Sequence, residues 1–219
     1  MNRRVRGWIS RFVPLRLVLP WIFFWKGPRR ALAHHYGWAR TLRDKVSQDA
    51  AGQPLPWISY SAIGLLSERL SSSHTVLEFG AGYSTLFFGE RARRVVSIEH
   101  DAGWIAWVRE RIPRNVELVP TQRGPAAVYC APLAGLDESF DVILVDGRHR
   151  NETLEKALDH LNPKGVILLD DSHRPCYAPA FATAHAAGLK HLHLEGHKPM
   201  SVDLYRTTLF YRSENCLDI

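Results

Sequence analysis

The run Thr75-Val-Leu-Glu-Phe-Gly-Ala-Gly-Tyr-Ser-Thr85, followed by Val95-Val-Ser-Ile-Glu99, restricts this chain to a small set of folds. Val76 to Phe79 is an apolar run of the kind buried on both faces of a parallel sheet, and Gly80 and Gly82 then allow a sharp backbone turn. Ser84 and Thr85 are suited to capping a helix predicted over Leu86 to Arg91. A second apolar run ends on an acid, Glu99, 21 residues after Glu78. Strand, glycine turn, helix, strand and terminal carboxylate make a βαβ unit suited to a nucleoside, whose ribose hydroxyls the acid would accept hydrogen bonds from.

The glycines narrow the choice of nucleoside. A dinucleotide fingerprint needs a third glycine where this chain has Thr85, so that pattern is incomplete. The form Glu78-x-Gly80-x-Gly82 resembles motif I of the class I S-adenosylmethionine-dependent methyltransferases, and the resemblance runs from about Tyr60 to Arg212. It implies a doubly wound α/β fold with a mostly parallel, seven-stranded Rossmann-like sheet, the last strand antiparallel and inserted beside the fifth. It also implies that the donor S-adenosylmethionine, which has no phosphate, is held by Glu78, Gly80, Ala81, Gly82, Ser84, Glu99, Trp104 and Asp146, with Trp104 fitting a place in the core equally well.

The rest of the chain alternates in the same sense. Helical spacing of Ile63, Leu66 and Leu70 predicts a helix over Ser59 to Leu70; a second is predicted over Trp104 to Arg111, stopped by Pro113. Val116 to Val119 and Phe140 to Asp146 read as strands, with 120–139 a long loop between them. Asn151 is placed to cap a helix over Glu152 to Leu161, ended by a turn at Asn162-Pro-Lys-Gly165. A strand over Gly165 to Asp170, a helix over Ala178 to Ala187 and strands over Leu189 to Leu194 and Leu204 to Tyr211 complete the alternation, which predicts a doubly wound sheet.

The charge divides the chain in two. Residues 1–45 hold eleven Lys and Arg against one acid, whereas 46–219 hold 17 basic and 21 acidic residues. The chain is therefore read as a basic, Trp-rich extension, 1–45, and a mildly acidic domain, 46–219, which argues against a nucleic-acid partner. Arg11, Arg16, Pro14 and Pro20 interrupt the apolar stretch Trp8 to Trp25, which fits neither a membrane span nor a signal peptide. The extension fits an anionic membrane surface, with Trp side chains at headgroup level, as well as it fits a helical arm packed on the domain or on a second subunit of a homodimer. Cys130, Cys176 and Cys216 have no metal-ligand spacing and suit a reducing, cytoplasmic compartment, peripheral to the inner membrane face if the extension binds lipid.

Three groups of residues carry candidate chemistry. His149 and His173 are candidate general bases because imidazole titrates near neutral pH, and Asp146 stands beside them at a strand end. Arg148, Arg150 and Arg174 on the same rim suggest a small anionic acceptor, although arginines beside acids also form plain ion pairs. Asp146, Asp170 and Asp171 resemble, in part, the Mg²⁺-binding acids of catechol-type O-methyltransferases. Asp171 stands where that group has Asn and its lysine is missing, so the expectation is no metal, with Asp146 orienting the methionyl ammonium. His191 and His193 share a strand face and, with His185 and His197, read as solvated or half-buried histidines. The expected activity is methyl transfer to an oxygen or nitrogen of a small acceptor; the alternative is a non-catalytic nucleoside-binding module acting as a membrane-tethered partner.

Overall fold

The computed structural model describes residues 21–22 and 36–219. The membrane expectation for the extension therefore falls mainly outside the described residues. No helix among them is long and apolar enough to cross a membrane.

Seven strands form one sheet in the order β3-β2-β1-β4-β5-β7-β6. They are β1 Thr75–Phe79, β2 Arg94–Glu99, β3 Val116–Pro120, β4 Phe140–Val145, β5 Leu161–Leu169, β6 Lys190–Gly196 and β7 Tyr205–Tyr211. β1 to β5 pair in parallel, while β7 runs antiparallel between β5 and β6, as the resemblance implied. Helices α1 Trp38–Asp44, α2 Tyr60–Arg69, α3 Tyr83–Gly89, α4 Ala102–Arg109, α5 Ala126–Tyr129, α6 Arg150–Ala157 and α7 Ala178–Ala186 flank or precede the strands.

Alternation along β1 shows why both sheet faces are covered. Val76 packs with Leu66, Phe87 and Phe88 of α2 and α3, whereas Leu77 and Phe79 join Tyr129, Leu154 and Phe210 on the opposite face. Every residue of β1 is buried, so the strand reads as an apolar run apart from Thr75 at its start and Glu78.

Local expectations change at four places. Gly82 is the N-cap of α3, so Ser84 and Thr85 lie inside its first turn, and the Thr85 hydroxyl accepts the Gly82 N–H at 2.9 Å. His149, in the left-handed region at φ 48°, caps α6; the Asn151 side chain is spent bridging to α7, donating to the Cys176 carbonyl and accepting from the Ala180 N–H. Asn162 to Gly165 continue into β5, where Asn162 donates to Asp141 at 2.8 Å across a register shift. The loop 120–139 contains α5 and a 3-10 turn over Ala131–Gly135. Of the two motif glycines, only Gly80 (φ 99°) needs the left-handed region; Gly82 (φ 171°) is extended.

Candidate active site

The chain leaves β1 toward β2 and β3 on one side and returns through β4 and β5 on the other, so strand order reverses between β1 and β4. In open α/β sheets ligands sit beyond the carboxyl ends of the strands at such a reversal. A cleft of about 520 Å³ lies there.

One buried carboxylate holds the glycine turn from below. Glu78 is fully buried, and its Oε2 accepts the hydroxyls of Thr85 and Ser97, each at 2.6 Å. Through Thr85 it also fixes the Gly82 N–H. Burial pushes the Glu78 carboxyl up to about 7, although hydrogen bonds from Ser84, Ser97 and Thr85 oppose the rise. Glu78 thus lies beneath the cleft and is not part of its wall.

Glu99, at the end of β2, clamps the same turn from the side. Its Oε2 accepts the Ala81 N–H at 2.9 Å, and its Oε1 accepts the His100 and Asp101 N–H groups at 2.7 Å. Gly80, Ala81, Gly82 and Ser84 line the cleft together with Glu99 and Trp104. A Cβ at Gly82 would meet nothing within 4 Å, whereas one at Gly80 would sit 3.3 Å from the Asp146 backbone. The fold therefore demands glycine at position 80, and at 82 the missing side chain opens space on the cleft wall.

The third wall follows β4, where Asp146, Gly147 and Arg148 line the cleft. Asp146 Oδ1 accepts from Arg150 Nη2 at 2.8 Å. Burial and the neighbouring Asp170 charge raise its carboxyl well above the ordinary value, against Arg150 and Lys198. At the far end the wall is made by Lys45, Trp57 and Met200.

The two candidate histidines lie elsewhere. His149 Nε2 is 2.8 Å from the Gly124 carbonyl oxygen, and exposed His173 stands edge-on to Tyr205 at 5.6 Å; neither lines the cleft. The histidines of the last hairpin are likewise remote. His185 Nε2 and His191 Nδ1 are 2.9 Å apart, beside Phe181 on the edge formed by β6 and α7.

The strand-end acids do not form an open cage. Lys198 Nζ lies 3.1 Å from Asp171 Oδ1 and 3.7 Å from Asp170 Oδ2. Arg174 Nη2 lies 2.6 Å from Asp171 Oδ2, and Arg150 binds Asp146. Burial acts to raise Asp171, but Lys198 and Arg150 prevail and hold it below the usual carboxylate value. Among the described residues, no group of three or more His, Cys, Asp or Glu side chains is arranged for a metal ion. Reading Asp146, Asp170 and Asp171 as a Mg²⁺ site does not fit this arrangement, because side-chain cations already neutralise them. S-adenosylmethionine does fit, since the glycine turn, Glu99 and the open space at Gly82 border one cleft.

Residues 77–172, from β1 to just past β5, match the family described as a methyltransferase domain. That stretch of the chain therefore carries a methyltransferase domain, on the sheet of the class I fold. Its sheet is also that of solved methyltransferases. A precorrin-6y C5,15-methyltransferase from Geobacter metallireducens is 17% identical over 69% of this chain and 88% of its own, with a TM-score of 0.54. A methyltransferase from Pyrococcus furiosus is 22% identical over 69% and 81%, at 0.52. The O-methyltransferase TomG from Streptomyces achromogenes, solved with S-adenosylmethionine, is 20% identical over 69% and 78%, at 0.50. These identities establish the shared fold and no more. No curated protein matches the sequence.

Several residues in or beside the cleft were not expected from the sequence. Ser97 had a signal: it is a hydroxyl inside an otherwise apolar buried strand, and it bonds Glu78. Tyr129, which α5 brings to the cleft wall, lay in a stretch read as loop. Lys198 and Met200 had no signal, because the loop before β7 contains no motif.

Proposed function

We propose that this methyltransferase transfers the sulfonium methyl of S-adenosylmethionine to an oxygen or nitrogen of a small anionic acceptor. The observation that carries this reading is the single cleft running from Glu99 and Trp104, past the glycine turn, to Asp146 and Arg148 and then to Lys45, Trp57 and Met200. Glu99 would take the ribose hydroxyls, Gly82 and Ser84 would border the methionyl part, and Asp146 would face its ammonium. The Lys45 and Arg148 side chains have no ion pair or hydrogen bond among the described residues, unlike Arg150 and Arg174. They suit an acceptor that arrives as an anion. With His149 and His173 off the wall, the nucleophile is a group that ionises by itself, such as a carboxylate or an acidic phenol. An acceptor lone pair attacks the methyl carbon as the carbon–sulfur bond breaks, leaving S-adenosylhomocysteine and the methylated acceptor. The protein aligns the two and excludes water.

Calorimetry with S-adenosylmethionine, S-adenosylhomocysteine and NAD, followed by labelled-donor transfer to a panel of small carboxylates and phenols, tests this. Donor binding without NAD binding, and label in the methyl ester or methyl ether of a panel member, is the expected result. Donor binding with no labelled product from any panel or metabolite extract would favour the non-catalytic module.

The eleven Lys and Arg of residues 1–45 support a second contact, an anionic membrane surface. The full chain should sediment with phosphatidylserine vesicles at low salt and release as salt rises. No sedimentation at low salt would remove this partner and leave the extension as a packing arm.

A further inference from the structure

We propose that Lys198 is a built-in cation that occupies the strand-end carboxylates at the place where a catechol-type enzyme would hold a divalent metal, so that the positive charge at this site is carried by the chain itself.

The observations are geometric. Lys198 is 4% exposed, which is rare for a lysine unless its charge is met on all sides. Its Nζ meets Asp171 and Asp170 at 3.1 and 3.7 Å. On its other sides it lies 3.9 Å from the centroid of the Tyr205 ring and 4.5 Å from that of Trp57. Two carboxylates and two aromatic faces leave the ammonium well solvated by protein and give a divalent ion no place beside it. Asp170 has a second partner: the Thr207 hydroxyl donates to its Oδ1 at 2.7 Å. Three cations thus stand among the three acids: Arg150 on Asp146, Lys198 between Asp170 and Asp171, and Arg174 on Asp171.

Lys198 also reaches the cleft indirectly. Trp57, which covers it, donates from Nε1 to the Pro199 carbonyl at 2.7 Å, and the Met200 N–H bonds Thr41 of α1 at 3.0 Å. Trp57 and Met200 are both cleft-wall residues. Fixing Lys198 on the acids therefore fixes the wall that faces the proposed acceptor, and Lys198 acts as a positioning residue. This second role rests on the methyl-transfer reading; the occupancy of the carboxylates does not.

The test follows Mn²⁺ by electron paramagnetic resonance with the full-length chain. The wild-type protein should leave the free Mn²⁺ signal unchanged. Lys198→Ala and the bulkier Lys198→Met should each acquire one Mn²⁺ site, at least tenfold tighter than any wild-type binding and lost again when Asp170→Asn is added. Lys198→Arg, which keeps the cation, should bind none. In parallel, the donor dissociation constant should change less than threefold in these variants. Mn²⁺ binding by the wild-type chain that Asp170→Asn abolishes would overturn the proposal, and so would a folded Lys198→Ala or Lys198→Met that gains no site. If both neutral variants fail to fold, the wild-type and Lys198→Arg measurements still decide: binding by either overturns it, and binding by neither supports it. Failure of the wild-type chain to bind S-adenosylmethionine would sink the methyl-transfer reading and leave the Mn²⁺ result standing.

Discussion

The glycine-turn end of the cleft, which the methyl-transfer reading gives to the donor's ribose, comes from one stretch of chain, β1 through α4, whereas the opposite end takes Lys45 and Trp57 from before the sheet and Met200 from the loop between β6 and β7. At the donor end, buried carboxylates hold neighbours close in sequence: Glu78 reaches Thr85 and Ser97, and Glu99 reaches Ala81 and Asp101. At the opposite end the contacts span most of the chain, with Trp57 on Pro199 and Trp38 on Ser201. The first end is a unit of secondary structure with its own hydrogen bonds. The second exists only once both halves of the chain have met.

The comparison predicts effects of decreasing size. Glu78 should make the donor end sensitive to pH. Its folded-state value of about 7 lies above the ordinary 4.5, so the folded chain binds the proton more tightly than the unfolded one. Stability from this group is fully present below pH 4.5, falls by about 3 kcal/mol as pH rises toward 7, and is level above that. Denaturant titrations from pH 4.5 to 8 should show this loss in the wild-type protein and not in Glu78→Gln. Equal pH dependence in the two proteins would mean that Glu78 is not the buried anchor described here.

Next in size is Glu99→Ala, which removes the ribose acceptor and frees three backbone N–H groups. It should raise the donor dissociation constant about 100-fold. A change under tenfold by calorimetry would move the ribose site away from β2.

The glycines separate fold from ligand. Gly80→Ala should cost about 1–2 kcal/mol of stability, because φ 99° strains any residue with a Cβ. Gly82→Ala should change stability by less than about 0.5 kcal/mol and still weaken donor binding about tenfold, since its Cβ would enter empty cleft. Equal stability losses at both positions would contradict this division.

The smallest effect on the donor should come from Trp57→Ala. Loss of its hydrogen bond and of its ring over Lys198 should lower stability by about 1 kcal/mol. Hydrogen exchange should quicken in 197–204 while donor affinity stays within twofold. Donor affinity that falls along with loop protection would show that the two ends are coupled.

Much of the donor end was legible in the sequence, because its determinants are local. An apolar run, a glycine turn and an acid at fixed spacing can be read residue by residue, and they brought Gly80, Ala81, Gly82, Ser84, Glu99, Trp104 and Asp146 to one cleft. Short-range geometry already blurred. Thr85 as the partner of Glu78, Asn151 as a bridge to α7, and the extended backbone of Gly82 all depend on where a side chain or a neighbouring element lies in space.

The sequence by itself determined the alternating α/β order, the strand ends on which acids stand, and the nucleoside-type turn, since hydrophobic period and backbone permissiveness are properties of consecutive residues. Tertiary structure alone decided that His149 and His173 do not line the cleft, that Lys45, Trp57 and Met200 do, and that Lys198 lies against Asp170 and Asp171. Those outcomes depend on which distant segments pack together. Electrostatic pairing then follows distance in space, and no pattern in the sequence around Lys198 records how near it lies to β5.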